Sequence, residues 1–221
     1  MIRKFIYWTL ISALFSLPAG AIAGGQQQRQ FSVELALLAG DSRLLIEGGL
    51  SDQKRAWIEQ RVQGQLNILP LLARYYLQHS GGVDNHLPGQ LRELQHLRHH
   101  PSQLHQQALA LSQLYPVDLA FDLSRSLKPA ALQAVTELYN SLCLGCHVLP
   151  SAEKSVIKGT LSQFSRSMNQ QEWLARLFGG LHGDAYTSYQ NPFSDPQIGA
   201  FFIYIRNHLE PAVPNVSKER D

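Results

Sequence analysis

The sequence predicts an all-α protein: a C-terminal helical unit that carries both cysteines, preceded by a helical N-terminal region. Three observations carry the helical prediction. Apolar residues recur three and four positions apart in segment after segment. Proline and glycine stand where those stripes stop. No stretch alternates apolar and polar residues as a half-buried strand does, and no internal repeat stands out.

Residues 24–30, Gly-Gly-Gln-Gln-Gln-Arg-Gln, read as a flexible lead. A first helix begins at Phe31, with Leu35, Leu38, Leu45 and Ile46 near helical spacing, and Gly48-Gly49 breaks it. Ser51-Asp52 reads as an N-cap before a second helix over Gln53 to Gln78. Trp57, Ile58, Val62, Leu66, Leu69, Leu72 and Ala73 follow one face of it, and Pro70 is expected to kink or split it. Gly81-Gly82 links to a third helix that has Pro88 in its first turn and carries Leu91, Leu94 and Leu97. Pro101 ends that helix, because a residue before proline avoids helical angles. A fourth helix runs from about Ser102 to Leu114, and Pro116 closes it.

Pro129 opens the next helix, since proline suits a first helical position. Leu132, Val135, Leu138, Tyr139 and Leu142 form its stripe, and it runs directly into Cys143. A loop from Val148 to Ser167 leads to a helix near Gln170 to Phe178, with Trp173, Leu174 and Leu177 on one side and Gly179-Gly180 ending it. Ser194-Asp195-Pro196 supplies a cap, an acidic first turn and an inside proline for the last helix. Ile198, Phe201, Phe202, Ile205 and Leu209 form its stripe, which stops before Pro211; residues 213–221 read as a flexible tail.

The first residues read as a secretory signal peptide over 1–23. Arg3 and Lys4 give a positive start, Phe5 to Leu17 is apolar apart from Thr9, Ser12 and Ser16, Pro18 ends the run, and Ala21-Ile22-Ala23 offers a cleavage site after Ala23. The rival reading is an uncleaved anchor, but the run is shorter than the ~20 residues that span a bilayer. No later segment is apolar for long enough to span. The expectation is a soluble protein outside the cytoplasm.

Loss of Arg3 and Lys4 brings the 19 Lys and Arg level with the 17 Asp and Glu. A formally neutral chain argues against nucleic acid as a partner, which needs concentrated positive charge. With 44% apolar and 16% charged residues, the composition is that of a globular protein. Neither a Gly-x-Ser-x-Gly nucleophile motif nor a phosphate-cradling glycine loop occurs, and no catalytic residue is expected. Nine histidines raise the question of a metal, and His96, His99, His100 and His105 cluster. Only Glu93 accompanies them at ligand spacing; the favoured reading is a polar last turn, where histidine suits the negative end of a helix dipole. Leucine stripes in 31–128 are read as core rather than partner surface.

Cys143-Leu144-Gly145-Cys146-His147 carries the chemistry. C-x-x-C-H is the pattern that attaches a c-type haem: two thiols add across the vinyl groups and the adjoining imidazole, His147, coordinates iron. These are the only two cysteines. A structural disulfide would not need His147. A thioredoxin-like dithiol would sit near a βαβ pattern, and a zinc site would want a second pair of ligands. One covalent haem c is therefore the expected cofactor, and an exported chain suits it.

Helix, C-x-x-C-H, loop, short helix, loop and an aromatic C-terminal helix is the order of class I cytochromes c, and residues 129–212 resemble that family. The resemblance implies that the first and last helices cross beside the haem, here with Leu138 and Tyr139 against Phe201, Phe202 or Ile205. Gly159-Thr160-Leu161 stands where the family often has Gly-Pro-x-Leu, so the Thr160 carbonyl is a candidate acceptor for the axial imidazole. Ser194-Asp195-Pro196-Gln197-Ile198 resembles the family's start of the last helix.

The sixth ligand departs from that pattern. Tyr186 to Phe193, where a Met-Pro loop belongs, holds no methionine. Met168 is one distal candidate, though it stands early in the sequence. His182, between Gly180 and Gly183, is the other, while His208 is read as solvated. A third option is a weak or absent ligand, with Tyr186, Tyr189 or Asn191 lining the pocket. The expected work is single-electron transfer between periplasmic or membrane-bound redox partners, not enzymatic turnover. The alternatives are a haem-based sensor or small-ligand-binding module, and a cytochrome subunit that docks to a larger oxidoreductase through residues 31–128.

Overall fold

A single run of sequence, Phe31 to Ser42, is buried at every position except Glu34, which is half-buried. A helix buried on all sides lies inside a protein rather than on its surface, and this one organises the fold. In the computed structural model, residues 20–144, 161–179 and 193–209 are described, with side chains from Arg29 onward. Eight α-helices and no strand occur among them: α1 Gly20–Glu47, α2 Asp52–Ser80, α3 Leu87–His96, α4 Pro101–Leu114, α5 Pro129–Leu142, α6 Leu161–Ser167, α7 Gln170–Gly179 and α8 Asp195–Ile203. A 3-10 turn, Leu97–His99, extends α3, and a π-helical turn, Tyr204–His208, extends α8. The expected all-α class is what the chain adopts.

Two apolar clusters form, and α1 belongs to both. Phe31, Leu35, Leu38, Ala39 and Leu45 pack with Ile58, Val62, Leu66 and Leu69 of α2, Leu91 and Leu94 of α3, and Leu104, Ala108 and Leu111 of α4. Val33, Ala36 and Leu37, on the other side of the same helix, pack with Val135 and Tyr139 of α5, Trp173, Leu174 and Phe178 of α7, and Ile198, Phe201 and Phe202 of α8. The segment between α4 and α5 lies along this second cluster through Val117, Leu119, Phe121, Leu123 and Leu127. The line drawn at 128/129 thus falls after residues that share the C-terminal core.

The caps behave as read. Ser51 accepts from the Lys54 N–H at 3.3 Å, Gly81 closes α2 in the left-handed region, and Pro88 and Pro101 sit in the first turns of α3 and α4. At α8 the Ser194 N–H donates to Gln197 Oε1 at 2.9 Å.

Four expectations need correction. Residues 24–30 are not a flexible lead: their backbone is helical, continuous with α1. Arg29 is held by Asp195 through two bonds of 2.7 and 2.5 Å and lies over the Phe178 ring at 5.0 Å. Pro70 does not split α2, which runs unbroken to Ser80. Trp57 is not on the buried face: it is 44% exposed, with its ring covering the Arg61 guanidinium at 4.5 Å. Leu161 to Ser167, assigned to a loop, forms α6. Two of its three serines are buried and satisfied: Ser162 Oγ donates to the Leu209 carbonyl at 2.9 Å and Ser165 Oγ to the Ser162 carbonyl at 2.8 Å. Polar composition suggested a loop; local bonds to the main chain keep these hydroxyls inside a helix.

Candidate functional site

Cys143 ends α5. Its N–H donates to the Tyr139 carbonyl at 2.8 Å, closing the last turn. Its half-buried side chain borders the C-terminal cluster, as does Leu144. Val135 and Tyr139 are the buried residues of α5, while Leu142 at its end is partly exposed. The helix therefore delivers the first cysteine to the edge of an apolar core.

Helices α5 and α8 pack together. The ring that meets Tyr139 is Tyr204, with centroids 5.4 Å apart and planes tilted by 58°; Phe201, Phe202 and Ile205 share the same core. Tyr204 opens the π-helical turn, in which the Leu209 N–H reaches back to the Tyr204 carbonyl at 2.9 Å. The extra residue lets Tyr204 and Ile205 both face inward after Ile203. The Tyr139 hydroxyl is pushed up to about 12, first by burial and then by Cys143 and Tyr204 nearby. It stays a neutral phenol beside the cysteine.

Met168, between α6 and α7, is buried in this core, the same one that Cys143 borders. His208 is exposed on the last turn. Cys146, His147, Thr160 and His182 lie outside the described residues, as do Tyr186, Tyr189 and Asn191. No group of three histidine, cysteine or acidic side chains suited to a metal occurs among the described residues. In the N-terminal cluster, His105 Nδ1–H donates to the Ala39 carbonyl at 2.8 Å, and His99 accepts from Arg98 Nε at 3.0 Å.

One feature of the core is visible only in the fold. Trp173 is buried, and its Nε1–H has no acceptor among the described residues. An orphaned buried donor costs about 1–3 kcal/mol. Among the described residues, Gln65 Oε1 in the N-terminal half is likewise buried without a partner.

Among the described residues no helix is long and apolar enough to cross a membrane. No known family, no curated protein and no solved structure matches this chain.

Proposed function

We propose that this chain is an exported monohaem c-type cytochrome that carries single electrons between redox partner proteins. The observation that carries the reading is the position of Cys143. The first residue of a C-x-x-C-H motif closes α5 at the rim of an apolar core, and that core also holds a buried methionine and an orphaned indole donor.

Cys143 and Cys146 would hold the haem, each S–H adding across one vinyl group to leave a thioether, and His147 would hold the iron. The haem supplies reversible Fe(III)/Fe(II) chemistry when bound. The chain's own share is solvation and positioning. Leu132, Leu138, Leu161, Phe164 and Phe193 surround the buried core and exclude water. Low polarity disfavours the more highly charged oxidation state. The Trp173 Nε1–H is a donor suited to a carboxylate of the prosthetic group, and Tyr139 stays protonated beside Cys143. Met168 or His182 would be the distal ligand, and the signal-like segment at 1–23 supports a periplasmic location.

Expression in a host that matures c-type cytochromes tests the reading. The expected result is a mass gain of one haem that resists acid-acetone extraction, a Soret band, and loss of both in Cys143→Ala/Cys146→Ala. Material without the mass gain and the band would refute the proposal. Spectra of Met168→Ala and His182→Ala would then assign the distal ligand. Rapid uptake of carbon monoxide by the reduced wild type would favour the sensor reading over a carrier.

A further inference from the structure

The cysteine motif leaves the N-terminal helices without a task, and a buried ionic cluster supplies one. Asp41 of α1 has no exposed side-chain surface. It accepts from Arg61 of α2, from Gln65 Nε2 of α2 at 3.3 Å, and from Arg176 Nη2 of α7 at 3.2 Å. Arg176, itself buried, also holds Glu172 through Nε at 3.1 Å and Nη2 at 2.8 Å. Glu172 accepts in turn from Arg43 Nη2 of α1 at 3.1 and 3.3 Å, and Arg43 pairs with Glu47. Three carboxylates thus face three guanidiniums, and the cluster is neutral as a whole.

Charges taken from water cost several kcal/mol each unless every partner is in place. The partners here come from α1, α2 and α7, so no two of these helices satisfy the cluster without the third. Sequence detail agrees with a built joint. Gly40 has no Cβ because one would overlap the Glu172 carboxyl group, and Trp57 covers the outer face of Arg61. Apolar packing runs the same way, with Leu35 and Leu38 in one core and Val33, Ala36 and Leu37 in the other.

We infer that α1 is a spine shared by both halves and latched by Asp41 to Arg176, so that residues 31–128 brace the cysteine-bearing half and the two halves open as one cooperative unit. This inference stands whether or not haem is attached.

Native-state hydrogen exchange on the full chain tests it. Ile58→Val removes one methylene from the N-terminal core. The slowest amides of α7 and α8 are expected to exchange faster by the same factor as those of α2, a few-fold to about tenfold. In an Arg176→Met background, the effect of Ile58→Val is expected to stay within α2 to α4. Acceleration confined to α2 with the latch intact would overturn the shared spine. Full coupling in Arg176→Met would overturn the latch. If Arg176→Met fails to fold, Arg43→Gln at the rim of the cluster takes its place: partial uncoupling supports the latch, and unchanged coupling overturns it.

Discussion

Gln95 of α3 donates its side-chain amide to the main-chain carbonyl of Leu66 at 3.2 Å. Leu66 stands four residues before Pro70, so its carbonyl is the one that Pro70, lacking an N–H, leaves without a helical partner. A neighbouring helix supplies the missing donor, and α2 continues through its proline.

That repair predicts a coupled pair. Gln95→Ala should cost about 1 kcal/mol, the usual worth of a hydrogen bond. The cost should shrink in a Pro70→Ala background, where residue 70 again offers an N–H to Leu66. Urea unfolding of the four chains in a double-mutant cycle measures the coupling, and an additive result would show that Gln95 does not serve that carbonyl.

Asp41→Ala leaves Arg176 buried with Glu172 as its remaining partner and strips Arg61 of its carboxylate. Removing one member of a buried ionic group costs about 3–5 kcal/mol. A large fall in the urea midpoint is expected. A change within a few tenths of a kcal/mol, the size of a surface substitution, would mean that the cluster contributes little.

Two glycines in helices should respond with opposite signs. A Cβ at Gly199 of α8 would overlap the Phe121 ring, so Gly199→Ala should destabilise by about 1–3 kcal/mol. A Cβ at Gly64 of α2 meets nothing within 4 Å, so Gly64→Ala should stabilise by about 0.5–1 kcal/mol. Thermal melting of both variants checks the pair.

Burial of the Tyr139 hydroxyl makes stability depend on pH in one window. Burial pushes the hydroxyl up to about 12, above the ordinary tyrosine value of about 10. The neutral phenol is therefore favoured in the folded chain. The stabilisation is complete below pH 10 and is lost as pH rises towards 12. Stability measured across that window should slope downward, and Tyr139→Phe should flatten its own share of the slope. An identical slope in the variant would show that other groups carry it.

Particular residues show what was legible in the chain alone. Ser51, Gly81, Pro101, Pro129 and Ser194 mark helix ends by local chemistry, and a cap needs no knowledge of the rest of the fold. The stripes through Leu66 and Leu69, Leu91 and Leu94, and Val135 and Tyr139 named buried faces correctly, because the helical period is itself local. Cys143 at the end of α5 followed from the same reading.

Periodicity had less to say where a residue's environment comes from elsewhere. Trp57 falls on an apolar stripe, yet it covers an arginine whose partner is on another helix. Leu161 to Ser167 reads as loop until Leu209 offers its carbonyl to Ser162. Residues 24–30 read as a flexible lead until Asp195 holds Arg29. The one available signal for α1 as a central helix was its run of apolar residues on all sides.

The helical class, the helix ends and the cysteine motif are set locally, since each depends on spacing within one segment. That α1 serves two cores and that Asp41 meets Arg176 across 135 positions emerges when the helices pack against one another. Such a pairing rests on burial shared among three helices, and no single segment encodes it.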